Sequence, residues 1–259
     1  MRILFTAFAF LALSATSAVA WNDTGHRVTS AIAANFLTPQ AKSAISDILG
    51  PETLAEASTW PDFMRSSPDP FWQKEAGPYH YVTVPKGKTY AEAFKPPEGD
   101  AVVALAKFKA ILQDPKASKA DKQLALRLTV HIIGDLQQPL HAGDGTDRGG
   151  NDFLVTWDGE VTNLHAVWDD RLLDRENLSY TEWTNWLMAR ITPELSKQWS
   201  VTDPAVWIDE STVLRDKIYP TTRALSFKYS YDNIAIVRTR LSQGGVRIAA
   251  YLNEVFGGK

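Results

Sequence analysis

Cysteine is absent from the whole 259-residue chain. That removes disulfide scaffolds, thiolate metal sites and cysteine nucleophiles together. Glycine (15) and proline (14) are too few for a collagen-like or linker-rich chain. Neither sign of charge dominates, with 27 Lys plus Arg against 30 Asp plus Glu, so no basic or acidic tail marks a binding segment. No P-loop, dinucleotide fingerprint or Gly-x-Ser-x-Gly elbow occurs, which leaves phosphate cradles and serine-esterase chemistry without sequence support. The one apolar run of note, Ile3 to Leu13, is shorter than the roughly 20 residues that span a bilayer.

What is present is an ordinary globular composition, 44% hydrophobic and 22% charged. Met1-Arg2, the apolar run and Ala18-Val19-Ala20 have the form of a secretory signal peptide over residues 1–20, with cleavage before Trp21. Its removal takes one arginine and no acid, so residues 21–259 keep 26 basic and 30 acidic side chains. The expected product is secreted or periplasmic and has no membrane anchor. A cysteine-free exported chain fits a bacterial periplasm or medium.

Apolar periodicity predicts helices over 25–37, 39–50, 100–113, 119–137, 163–174, 179–191, 203–218 and 231–255. Thr38-Pro39 supplies an N-cap and an N1 proline for the second. Residues 79–84 and 152–157 read as the only strands, the latter closed by the turn dipeptide Asp158-Gly159. Residues 85–98 and 142–151 read as functional loops. With no repeat, charge block or linker between them, these elements point to one mainly α domain over 21–259 with a small β element.

The chain has five histidines: His26, His80, His131, His141 and His165. His131 and Asp135 lie four residues apart within a helical pattern, as do His165 and Asp169. Each pair therefore projects from one helix face, as two ligands of one metal ion would. His141 follows Pro139 at a helix end, Asp62 follows Trp60-Pro61, and His80 opens the first short strand. One His-x-x-x-Asp pair alone is most simply a salt bridge, but two pairs with a third histidine beyond a helix end favour a multinuclear metal site. Imidazole and carboxylate without thiolate suit zinc ahead of manganese or iron. Metal-assisted hydrolysis is the class that remains.

Trp21–His26 (WNDTGH), Trp60–Arg65 (WPDFMR), His131–His141 (HIIGDLQQPLH), Gly149–Asn151 (GGN) and Asn163–Asp169 (NLHAVWD) resemble the zinc-dependent single-strand nucleases of the S1/P1 type, the mung bean nuclease family. The resemblance runs from Trp21 to the C-terminus and includes Gly244-Gly245-Val246-Arg247. It implies the mainly helical fold shared with zinc phospholipase C, and three zinc ions. Asp62, His80, His131 and Asp135 would hold one. The α-amino nitrogen and carbonyl oxygen of Trp21, with His26 and Asp135, would hold the second, and His141, His165 and Asp169 the third. Asp135 would then bridge two ions, and signal-peptide removal would create the chelating amine.

The resemblance further implies hydrolysis of single-stranded DNA and RNA to 5′-phosphate products by a monomeric enzyme, with 3′-nucleotides as additional substrates. Asp62 and Asp135 would be catalytic as metal-holding carboxylates, and Arg65 would stabilise the phosphorane-like transition state. Tyr81 stands where fungal relatives have a stacking Phe, Thr83 replaces an Asp that accepts hydrogen bonds from the base, and Asn151 is retained. A zinc phospholipase C is the alternative. It would carry Glu as the last carboxylate ligand and a wider gap before the first histidine, so Asp169 and the short Trp21–His26 spacing favour the nuclease.

Overall fold

A computed structural model of the chain describes residues 21–257; the expected signal peptide, 1–20, lies outside the described residues. The fold is mainly α. In chain order come α1 (Asp23–Phe36), α2 (Pro39–Leu49), α3 (Leu54–Met64), β1 (Val82–Thr83), α4 (Ala101–Gln113), α5 (Lys119–Asp135), β2 (Ala142–Gly143), β3 (Leu154–Trp157) and β4 (Glu160–Asn163). There follow α6 (Leu164–Ala166), α7 (Leu172–Asp174), α8 (Tyr180–Met188), α9 (Pro193–Trp199), α10 (Pro204–Ile218), β5 (Ala224–Leu225) and α11 (Phe227–Phe256).

Side-chain caps set most helix starts. Thr38 accepts from the Ala41 amide ahead of N1 Pro39, and Ser118 accepts from Asp121. Thr53 with Glu56 and Ser179 with Glu182 close full capping boxes, satisfying amides that have no intrahelical partner.

The long helix α11 packs along α1, and Gly244 and Gly245 make the close approach possible. A Cβ on Gly245 would run into the Ile32 side chain and stand 3.0 Å from the Thr29 carbonyl oxygen. Two apolar clusters form around this pair. One gathers α2, α4 and α5 about Leu105, Phe108, Leu126 and Leu252; the other gathers Trp21, Trp168, Trp183, Val237 and Leu241. Trp21, Trp168, Trp183 and Trp207 are fully buried, so much of the tryptophan content serves the core.

The strands differ from the sequence reading. Only Val82–Thr83 of the expected 79–84 strand pairs, in parallel with Ala142–Gly143. Gly77–His80 forms a 3-10 turn that Pro78 favours by fixing its φ, so His80 ends a turn and does not open a strand. The 152–157 strand begins at Leu154 and forms an antiparallel hairpin with β4. Asp158 (φ 50°) and Gly159 (φ 92°) take the positive φ values of a two-residue hairpin turn. Strands β2, β4 and β5 were not anticipated, because two-residue bridges carry no periodicity and the four-residue β4 ends at Asn163, where a helix was expected to begin.

Helices α3 and α9 were also unanticipated, and α3 changes the setting of Asp62, which lies on a helix and not in a loop. Pro61 inside α3 hides it, since proline normally ends a helix pattern. The helix expected over 163–174 is α6, a wider π-turn over Val167–Arg171, and α7 in succession.

Candidate metal centre and cleft

Three helices and a turn bring the first group of ligands together. α1 carries His26, α3 carries Asp62 and α5 carries His131 and Asp135, while the turn before β1 adds His80. His80 Nδ1 and His131 Nε2 stand 3.0 Å apart, and they lie 3.0 and 3.3 Å from Asp135 Oδ2. The other oxygen, Oδ1, faces His26 Nε2 at 3.2 Å. Asp62 closes the group, with Oδ1 3.8 Å from His131 Nε2 and Oδ2 3.9 Å from His26 Nε2. The His26 and His131 rings stack at 3.9 Å.

The second group is His141, His165 and Asp169. His165 Nε2 lies 3.2 Å from Asp169 Oδ2, and His141 Nε2 lies 4.0 Å from Oδ1. β1–β2 pairing seats His141 beside His80, and buried Arg215 pins both strands through the carbonyls of Val84 and Ala142.

Backbone carbonyls fix the imidazoles from behind. Nδ1–H of His131 donates to Ser58 (2.8 Å), that of His141 to His80 (2.6 Å), and that of His165 to Gly149 (2.6 Å). The Nε2 lone pairs then face the clusters, as metal ligation requires. Gly149 can present its carbonyl because it sits at φ 64°, where a Cβ would run into the Leu140 carbonyl.

Burial and charge divide the two groups. All of these ligands are buried except Asp62, which is only slightly exposed. Burial opposes protonation of His131, but Asp135 and Asp62 outweigh it and hold its pKa up at about 9. Burial likewise opposes ionisation of Asp135, and His131, His26 and His80 overcome it, keeping that carboxyl well below its usual range. Burial and neighbouring His131 lower His26. In the second group burial prevails: it lowers His141, takes His165 down to about 3 with help from His141, and raises Asp169 well above a normal carboxyl despite the Gln138 hydrogen bond.

The donor set fits metal ions. His26 Nε2, Asp62 Oδ2, Asp135 Oδ1, His141 Nε2 and His165 Nε2 are buried and without hydrogen-bond partners, a costly condition for polar atoms. Three groupings of these side chains have ligand atoms within 4.8 Å of one another: His26, Asp62 and His131; His80, His131 and Asp135; and His141, His165 and Asp169. Zinc arms of 2.0–2.1 Å in a tetrahedron place neighbouring donors about 3.3 Å apart, and the shortest separations in both groups approach that value.

Trp21 is fully buried, and the next amide, of Asn22, donates to the Asp169 carbonyl at 2.9 Å. Asn22 also caps α1 at Gly25 and bonds Asp170. The start of the described chain is therefore tied to the Asp169 segment.

A cleft of about 560 Å3 opens over His80, His141 and His165. Arg65, Tyr81, Thr83 and Asn151 line it, and Arg65 reaches Asp62 Oδ1 at 3.5 Å. Two contributors were missed. Arg148 lines the cleft, and buried Gln138 donates to Asp169 Oδ1 at 2.6 Å while accepting from the Leu140 amide. Gln138 lies inside the His131–His141 segment, so its place between two ligands was a signal that could have found it.

The S1/P1 Nuclease family model matches residues 21–257. The chain is 30% identical to Endonuclease 4 of Arabidopsis thaliana over 93% of this chain and 91% of that protein. It is 29% identical to Nuclease S1 of Aspergillus oryzae, covering 98% of both, and 26% identical to Nuclease P1 of Penicillium citrinum, over 92% of this chain and 98% of that one. With a match spanning the described ligand clusters and the cleft above them, the chain belongs to the S1/P1 nuclease family, whose members are phosphodiester hydrolases.

Proposed function

We propose that residues 21–259 form one domain, a secreted or periplasmic monomer that cleaves single-stranded DNA and RNA endonucleolytically with three zinc ions. Products would carry 5′-phosphates, and 3′-nucleotides would also be hydrolysed. The observation that carries this reading is the convergence of buried, unpartnered histidine and aspartate atoms beneath a cleft lined by Arg65 and Tyr81.

Asp62, His80, His131 and Asp135 would hold one ion, His26 and Asp135 with the Trp21 terminus a second, and His141, His165 and Asp169 the third. Bound zinc supplies Lewis acidity, making water a nucleophile near neutral pH and offsetting phosphoryl charge. The two oxygens of Asp135 face opposite sets of histidines, which suits a bridging carboxylate. Arg65, hydrogen-bonded to Asp62 at the cleft wall, is oriented to meet charge growing on the phosphoryl oxygens. Tyr81, 49% exposed, offers a stacking face. A duplex hides that base face, hence the preference for single strands. Asn151 and Thr83 meet the base edge.

Initial rates on matched single- and double-stranded oligonucleotides, with phosphatidylcholine as a lipid control, test the reading. Faster cleavage of the single strand with 5′-phosphate ends supports it; equal rates on duplex overturn the stacking account, and hydrolysis of the lipid alone overturns the nuclease.

A further inference from the structure

Arg148 occupies an unusual position. Its backbone sits at φ 53°, followed by Gly149 at 64° and Gly150 at 82°, so an arginine opens a left-handed run that glycine would enter at lower cost. Such a conformation persists only where surrounding contacts impose it. Here the Asn151 side-chain amide donates to the Arg148 carbonyl at 2.8 Å. The guanidinium grips Asp152 with a two-pronged fork: Nε lies 3.0 and 3.1 Å from the carboxylate oxygens, and a second nitrogen 2.6 Å from one of them. Both partners are exposed, so water screens the pair and a ligand can take the fork from Asp152.

The cleft residues around Arg148 have a one-sided chemistry. Arg148, Arg65, Tyr81, Thr83 and Asn151 line the same cavity, and no carboxylate is among its lining residues. Where the resemblance has an Asp to accept from a base amino group, Thr83 offers one hydroxyl. Gly145, in the loop that carries Arg148, is packed so close to Thr83 that a Cβ there would stand 3.1 Å from its methyl group. A cleft lined by a two-pronged donor and by no carboxylate acceptor favours one base edge over the others. Guanine alone presents two adjacent acceptors, O6 and N7; adenine and cytosine put an amino donor at the corresponding place. Asn151 Oδ1 and the Thr83 hydroxyl remain as acceptors for the guanine N–H groups.

We propose that Arg148 makes the base site of this cleft selective for guanine, with Asp152 holding the fork in place until guanine displaces it. This rests on the reading of the cleft as a nucleotide site. Its test is therefore equilibrium binding, with cleavage measured separately.

Titration calorimetry of the zinc-loaded protein would compare guanosine 5′-monophosphate with adenosine 5′-monophosphate. The expected preference for guanine is about ten-fold, the lower range for a bidentate arginine contact. Arg148→Gln should bring the two affinities together with zinc content unchanged, and Asp152→Asn should widen the difference by freeing the fork. Equal affinities in the unaltered protein, binding of neither nucleotide, or an Arg148→Gln change that weakens both equally would overturn the proposal, the last by making Arg148 a phosphate contact. Cleavage of oligonucleotides without guanine preference sinks this inference and leaves the nuclease standing; preference without cleavage does the reverse.

Discussion

Asp135 faces two sets of partners through its two oxygens, His26 on one side and His80 with His131 on the other. Asp135→Asn keeps the shape but exchanges an anionic oxygen for an amide that cannot bridge. Since loss of a residue merely supporting a ligand lowers metal affinity or activity about 10–100-fold, this change should exceed about 100-fold in rate. Elemental analysis should also show more than one zinc lost per chain, and loss of one ion or none would contradict the bridge. Gln138 makes the milder case. Gln138→Ala frees Asp169 Oδ1 and should weaken zinc at the His141 group about 10–100-fold, leaving the other group loaded in a chelator competition; uniform weakening would refute that separation.

Protonation follows from the same residues. Without metal, His131 holds a proton up to about pH 9 and Asp169 is raised well above a normal carboxyl. Metal binding requires the neutral imidazole and the ionised carboxylate, so His131 gives up its proton on loading, and the raised Asp169 carboxyl adds to the pH dependence in the same direction. Affinity must then rise with pH through neutrality towards 9, and zinc uptake by stripped protein at pH 7 should release protons. Calorimetry in two buffers of different ionisation enthalpy reads that release directly, and identical heats would contradict it.

At the scale of elements, the α1–α11 crossing sets where His26 stands. Gly245→Ala puts a methyl group into Ile32 and against the Thr29 carbonyl, an overpacking expected to cost about 1–3 kcal/mol. Thermal unfolding should show the lowered Tm, and zinc bound at the His26 side should fall as α1 is pushed aside; an unchanged Tm would mean the helices separate freely. The crossing shows what sequence conveys about elements. Helix α5 was legible because its apolar period is regular and its caps are local, and His131 and Asp135 then share a face by necessity. Helix α3 was not, since Pro61 interrupts the pattern even though the Thr53–Glu56 capping box announces the start. Bridges such as Val82–Ala142 depend on a partner sixty residues away, and no local signal encodes that pairing. Arg148 escaped notice for a related reason: a lone loop arginine reads as a solvated charge until the fold sets it on the cleft.

At the scale of the whole molecule, charge and site oppose each other. The formal charge is −3, and it becomes −4 when residues 1–20 and their single arginine are removed. A polynucleotide is repelled by that overall field and attracted only locally, where Arg65 and Arg148 line a cleft that carries no carboxylate. Proteins that track a strand with a basic surface neutralise many phosphates, and each contributes about −0.7 to the log–log salt slope for single strands. With Arg65 as the cationic phosphate contact and Arg148 engaged at the base, a shallow slope in kcat/KM of about −0.7 is expected under zinc-buffered conditions. Arg65→Gln should flatten the slope further as it lowers the rate, whereas exposed Arg238, paired with Glu176 and absent from the cleft lining, should leave the slope unchanged on substitution by Gln. A slope steeper than about −3 would require four or more phosphate contacts. Binding would then extend over a surface well beyond the cleft, and the local account of substrate attraction would fail.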